Sequence, residues 1–305
     1  MSNATTSNSP VALNTEPNKT VHKSKSLWSH AFSTLSRDPW ALTSLIIVGI
    51  YALTALLSAL GFVAADWAAE VGPSYAAPSL DHWFGLDIFG RSVLAKTIKG
   101  TEVAMSVGLV AGLISMVIGV TLGALAGYFG GKVGEVIVWF YTTFSSIPYI
   151  ILIVAISFIR GEKGLMTVFL ALGLTGWVTL CRLIRAEVIR HKNREYVHAA
   201  AAIGGGDFRK LFIHILPNVM HIVIINFSLQ FQVAIKSEVI LSYLGLGVQG
   251  RPSWGTMIDD AKLELAREVW WQLGAATLAM MIVVLALNLL GDALRDALDP
   301  KLKGK

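Results

Sequence analysis

REYVHAAAAIGGGDFRKLFIHILPN, Arg194 to Asn218, is a polar and basic stretch set between two apolar runs long enough to cross a bilayer. Ala199–Ala202 is a strong helix former with almost no side-chain bulk. Gly204-Gly205-Gly206 stops that helix, and Asp207 is placed to cap the next one. Pro217 suits the start of the following span, where a missing N–H costs little. The stretch predicts a short helix, a sharp turn and a second helix carrying Phe208, Leu211, Phe212 and Ile215. A small-faced helix leaving a membrane fits a groove on a partner. An amphipathic connector with a glycine hinge would look the same, and physics alone does not choose between them.

Working outward, the chain has 305 residues, of which 54% are hydrophobic and 15% charged. A soluble domain of this size rarely carries so little charge. A crossing helix needs about 20 mainly apolar residues. Six runs qualify: Ala41–Phe62, Val103–Gly127, Glu135–Ile159, Leu165–Leu183, Val219–Leu241 and Leu273–Gly291. The runs are continuous rather than alternating, so the expected fold is an all-α integral membrane protein, not a barrel.

Met1–Thr20 is rich in Ser, Asn, Thr and Pro and reads as disordered. The first span is too long for a typical signal-peptide core, and no small-residue cleavage site follows, so it reads as an uncleaved anchor. Six spans place both termini on one side. With the termini inside, inner segments hold 16 Lys and Arg and outer segments 8, with Lys236 uncounted. The positive-inside rule then puts the termini and the 194–218 stretch in the cytoplasm. The net charge of +5 is a topology signal, and nucleic-acid binding is an unnecessary explanation.

Span two carries Ala104, Gly108 and Gly112, then Gly119, Gly123 and Gly127, at four-residue steps. Small residues at this spacing let helix backbones approach closely, which predicts a packing seam. Gly130-Gly131 suits a tight reversal into span three. The outer loop Val63–Glu102 is long for a connector. The outer loop Ser242–Gln272 carries SYLGLGVQGRPSWG and the pair Trp270-Trp271. Trp254 and Gly255 lie within that loop rather than beside a span, which makes them candidates for docking or gating. Glu238 is an ionisable group near the outer end of span five, a functional candidate by position, whereas Lys236 reads as interfacial snorkelling. Cys181 is the only cysteine, so no intrachain disulfide forms. GxGxxG over Gly245–Gly250 opens no βαβ unit, Gly130-Gly131-Lys132 lacks the full phosphate-loop spacing, and the seven histidines are scattered. No metal site and no catalytic constellation is expected.

The 194–218 stretch resembles the EAA loop of bacterial ABC importer permeases. That pattern is Glu-Ala-Ala, three residues, Gly, nine residues, Ile-x-Leu-Pro; Ala199, Ala200, Gly204, Leu216 and Pro217 fall in register, with His198 and His214 at the Glu and Ile positions. Four more segments are similar to the C-type permease subunit of dipeptide and oligopeptide importers: HWFGLDIFGRSVL (82–94), AGYFGG (126–131), 237–255 and NLLGDALRDALDP (288–300). Leu86, Ser92, Thr101-Glu102, Trp139 and Thr142 depart from that family's common residues, several of which are charged.

The resemblance implies a type I ABC importer transmembrane domain in a bacterial inner membrane, moving short peptides by alternating access. It implies a cytoplasmic tail (1–40), an anchor helix with its periplasmic loop (41–100), a permease core (101–292) holding the ATPase-coupling loop 195–217, and a C-terminal tail (293–305). The implied partners are a homologous permease, two ATP-binding subunits carrying the ATP and Mg, and a periplasmic substrate-binding protein. This chain would bind no cofactor and catalyse no reaction. A same-family permease for nickel or another small solute is the near alternative. An ion-coupled secondary transporter would predict inverted repeats or polar, broken helices near the midplane, and the sequence shows neither clearly.

Overall fold

The computed structural model describes residues 38–298, so the expected disordered tail with its basic residues, and the end of the C-terminal tail, lie outside the described residues. Among the described residues there are helices, two isolated β-bridges and no strand. The helices are α1 (Pro39–Ala59), α2 (Val93–Phe129), α3 (Gly131–Ser145), α4 (Tyr149–Arg160), α5 (Leu165–Gly173), α6 (Val178–Lys192), α7 (Glu195–Ala202), α8 (Asp207–Tyr243), α9 (Trp254–Leu265) and α10 (Trp271–Leu298). Five single helical stretches are long and apolar enough to cross a membrane, counting α5 and α6 as one. Only 17% of the most apolar window of α1 is buried, and Ile46, Ile50, Leu53 and Leu56 lie open. Such a face is stable against lipid or another membrane helix, not against water.

The long helix α2 is the centre of the bundle. The glycine ladder forms its seam with α6. A Cβ added at Gly119, Gly123 or Gly127 would lie 2.8, 2.5 or 2.7 Å from the carbonyl oxygens of Trp177, Cys181 and Arg185. The four-residue step repeats on both helices, so two backbones run side by side with no room for a side chain between them. The upper glycines serve other neighbours: Gly108 receives Phe231 and Gly112 receives Phe227, both from α8.

The seam also fixes the path of the chain. Residue numbers rise in the same direction on both sides, so α2 and α6 are parallel. The chain must return between them, and the return is made by α3 and α4. This corrects the expected continuous span Glu135–Ile159: the two helices are bent by 92° at Ser146–Pro148. Pro148 has no N–H to give to the turn before it, and its ring crowds the preceding carbonyls. Counted as one broken span, the pair completes six crossings. Asp38 and Leu298 then lie at the same end of the bundle as the turn between α6 and α8.

Two further boundaries differ from expectation. α2 begins at Val93, ten residues before the expected start at Val103, with the Ser92 hydroxyl accepting the Ala95 N–H at 3.3 Å. Lys96, Lys99 and Glu102 made this turn look like loop, but all three are paired within the fold: Lys96 with Asp87 at 2.9 Å, and Lys99 with Glu102 at 2.6 Å. At the other end of α2, Gly130 and Gly131 take φ of +61° and +46°, giving the expected tight reversal.

Candidate functional site

The loop stretch folds as a short helix and a turn strapped to the bundle. In α7, Val197 and Ala200 face inward, beside a cluster of Ile184, Val188, Leu211, Ile215 and Val219. Ala199, Ala202 and Ile203 face away from the chain, and Ile203 is 84% exposed. The two alanines of the pair therefore separate: Ala200 packs within this chain and Ala199 is free for a partner.

The turn is a helix C-cap of the Schellman type. The Gly204 N–H donates to Ala201 O at 3.0 Å and the Gly205 N–H to Ala200 O at 2.9 Å. Gly204 sits at φ +83°, the left-handed region that favours glycine. A Cβ on Gly205 would lie 2.6 Å from Ala200 O.

Asp207 does not cap the next helix as expected. Gly206 occupies the cap position, and no side chain bonds there. The Asp207 carboxylate is instead claimed from outside its own helix and by the next turn. The Tyr128 hydroxyl donates to its Oδ1 at 2.8 Å, and Lys210 Nζ lies 2.9 Å from the same atom. Lys192 Nζ donates to Tyr128 O at 2.5 Å and lies 5.3 Å from the ring centroid. So the last turn of α2, the end of α6 and the start of α8 form one polar knot. Tyr128, Lys192 and Lys210 were not singled out in the sequence. The signal available was the tyrosine in AGYFGG, a segment read there only for its family likeness and its Gly130-Gly131 reversal.

Pro217 stands in the first turn of the α-helical stretch Leu216–Tyr243, as its missing N–H led one to expect, but no break precedes that stretch. The helix runs from Asp207 to Tyr243, and residues Lys210–Ile215 widen into a π-helical segment just before the proline. A π turn shifts backbone partners by one residue, which accommodates a proline that cannot donate. The Asn218 side-chain amide donates to His214 O at 2.6 Å in this turn. Beside it Phe129, Phe208 and Phe212 line up with centroids 6.0 and 6.2 Å apart. Phe208 and Ile213 remain 64% and 60% exposed. The loop thus presents Ala199, Ile203 and Phe208 on a fixed, apolar outer surface.

The opposite end of the bundle is tied by charges. Lys96 bonds Asp87 at 2.9 Å and the Gln272 side-chain oxygen at 2.7 Å. Glu102 accepts from Ser58 at 2.9 Å and from Arg251 at 3.1 Å, so it joins α1, α2 and the loop before α9. Nearby, burial pushes the Glu264 carboxyl up to about 7, partly offset by Lys96.

Trp254 and Gly255 lie inside this end. Trp254 is fully buried, donates its indole N–H to Thr97 O at 3.1 Å and packs edge-on to Tyr51 at 6.2 Å. It occupies the first turn of α9, which opens with the Ser253–Thr256 capping box. A Cβ on Gly255 would meet Val239 O at 2.7 Å. Neither residue presents a surface for docking in this conformation; Trp83 and Trp270 are the exposed tryptophans here, at 71% and 62%. Trp254→Ala is accordingly expected to lower the melting temperature of the purified protein, since emptying a buried Trp site costs about 3–5 kcal/mol. An unchanged melting temperature in a scan of the detergent-solubilised protein would count against this core role.

Glu238 is buried and accepts the Ser242 hydroxyl at 2.6 Å, while Lys236 points out of the fold. Ser242 in turn lies 3.3 Å from Ser253 Oγ, so Glu238 anchors the loop that leads to Trp254.

Residues 119–304 match the family described as binding-protein-dependent transport system inner membrane component. The oligopeptide transport system permease protein OppC of Bacillus subtilis (strain 168) is 34% identical over 297 residues, 96% of each chain. The dipeptide transport system permease protein DppC of the same organism is 34% identical over 227 residues, 74% of this chain and 71% of that one. Among solved structures, the MetNI methionine ABC transporter in an inward-facing conformation superposes with a TM-score of 0.54 at 18% identity, over 66% of this chain and 96% of that one. That likeness is one of fold.

Proposed function

The chain belongs to the family of binding-protein-dependent transport system inner membrane components, and on that premise we propose that it is one permease subunit of an ATP-driven importer of short peptides. The naming of its relatives as oligopeptide and dipeptide permeases favours peptides over nickel or another small solute. A homologous permease completes the pore, two ATP-binding subunits supply the work with their own ATP and Mg, and a periplasmic binding protein delivers the substrate.

The observation that carries the mechanism is the polar knot at Asp207. A partner pressing on Ala199, Ile203 and Phe208 moves a rigid turn. Through Tyr128 and Lys192 that turn is bonded to α2 and α6, the two helices of the glycine seam. Force applied at the loop therefore reaches the centre of the bundle without passing through a flexible linker. The charge bias supports a cytoplasmic position for this loop and for both described ends, Asp38 and Leu298.

The test is crosslinking in the assembled complex, in a Cys181→Ala background. A cysteine at 199 is expected to crosslink to cysteines on the ATP-binding subunit, and a cysteine at 200 to do so weakly. Crosslinks from 199 to the periplasmic binding protein alone would overturn both the interface and the orientation.

A further inference from the structure

A cavity of about 530 Å³ opens at the break between α3 and α4. By residue count it reaches from mid-depth toward the cytoplasmic end, where Arg182 stands at the close of the apolar run Leu165–Leu183. Ser115 is near the middle of α2, Thr179 near the middle of the α5–α6 span, and Asn226 and Gln230 near the middle of α8. Broken helices at membrane depth are tolerated where they line a cavity, and transport sites are built at such breaks.

The charge and donor content of this cavity are one-sided. Arg182 is the only charged side chain among its lining residues. Its Nη2 donates to Ser145 Oγ at 2.9 Å and its guanidinium lies 5.0 Å from the Tyr141 ring centroid, an arrangement that holds the fork in place and leaves further N–H groups to give. Two other lining residues carry a polar atom with no hydrogen-bond partner, the Gln230 side-chain nitrogen and the Tyr149 hydroxyl; both atoms are enclosed, so each side chain must turn to give its N–H or O–H to the cavity. The Gln230 amide nitrogen packs against Gly176, in the space a Cβ would take. The first turn of α6 also begins at the cavity, and no side chain caps it. Its N–H groups and dipole add to the positive character. No carboxylate lines the space.

We propose that this cavity holds the C-terminal carboxylate of the peptide in transit, with Arg182 as its charged partner and Gln230 and Tyr149 as additional donors. A guanidinium fork with spare donors matches a carboxylate in geometry as well as charge. The ammonium end of a peptide finds no counter-charge here. The proposal rests on the peptide-importer reading above and adds which end of the substrate this subunit recognises.

The experiment uses the whole complex in proteoliposomes and one labelled tripeptide in two forms, with a free C-terminal carboxylate and with a C-terminal amide. The binding protein is supplied at concentrations giving equal loading of the two forms. The wild type is expected to take up the free acid about tenfold faster, the ratio that one charge-assisted hydrogen bond supports. Arg182→Gln should erase the preference by slowing the free acid alone, and Arg182→Lys should keep part of it. Tyr149→Phe, which leaves the charge in place, should narrow the ratio and guards against a folding defect in the arginine variants. A wild type that moves both forms equally, or an Arg182→Gln variant that slows both by the same factor, overturns the proposal. Uptake of neither form from a loaded binding protein would instead overturn the peptide reading itself, and the proposal with it.

Discussion

Gly123→Ala is expected to destabilise the protein strongly, although alanine is the better helix former. In an unobstructed helix the substitution stabilises by about 1 kcal/mol. At Gly123 the new Cβ would lie 2.5 Å from Cys181 O and 3.0 Å from Ile184 Cβ. A backbone carbonyl cannot rotate away as the end of a side chain can, so α6 must move. Overpacking of this kind costs about 1–3 kcal/mol, occasionally more. The shift would propagate along the ladder, since Gly119 and Gly127 make the same approach one turn to either side. Gly123→Val should abolish monodisperse material altogether. Gly49→Ala is the control: Gly49 lies in α1 and its Cβ would meet nothing within 4 Å. Size-exclusion profiles and thermal melts of the three variants in one detergent decide the matter. Equal stability of Gly123→Ala and Gly49→Ala would remove the seam from the account.

That seam was legible in the sequence because its signal is local: small residues at a fixed step on one helix. What the spacing did not give was the partner, α6, or the parallel direction. The six crossings were legible from hydropathy, whereas the break at Pro148 was hidden, because a window average over the apolar runs on either side passes over one proline and the Thr and Ser residues before it. The start of α2 was hidden for the opposite reason. Lys96, Lys99 and Glu102 resemble loop when counted as charges, and become helix once their partners Asp87, Ser58 and Arg251 are in place. Long-range pairing also explains Asp207 and Trp254. A local rule assigns an aspartate after three glycines to capping, but Tyr128 lies 79 residues earlier and bonds to it. A loop position assigns Trp254 to the surface, but Trp254 opens the helix α9 and its indole bonds Thr97 O of α2. The departures Ser92 and Glu102 have structural sense: the serine caps α2, and the carboxylate collects Ser58, Lys99 and Arg251.

Gly204→Val is expected to leave insertion and folding nearly intact and to remove most of the ATPase stimulation by loaded binding protein. The two halves of that statement have separate reasons. A Cβ on Gly204 would meet nothing within 4 Å, so no core contact is disturbed. The backbone, however, sits at φ +83°, where an L-residue pays roughly 1–2 kcal/mol and a β-branched one more. The turn can relieve that strain by giving up the bonds from Gly204 and Gly205 to Ala201 and Ala200, which frees α7 from the knot at Asp207. Ala199 and Ile203 would then present themselves to the ATP-binding subunit in many orientations, and a force on them would bend the turn before it moved α2. Two companions separate backbone strain from bulk. Gly204→Asn should retain most of the stimulation, because asparagine tolerates the left-handed region. Gly206→Ala should be neutral, because Gly206 has φ −66° and open space around its Cβ position. The measurement is ATPase activity of the reconstituted complex with and without loaded binding protein, beside transport of a labelled peptide. Normal stimulation in Gly204→Val would show that the partner reads the loop through α8 and its exposed Phe208, with α7 a bystander.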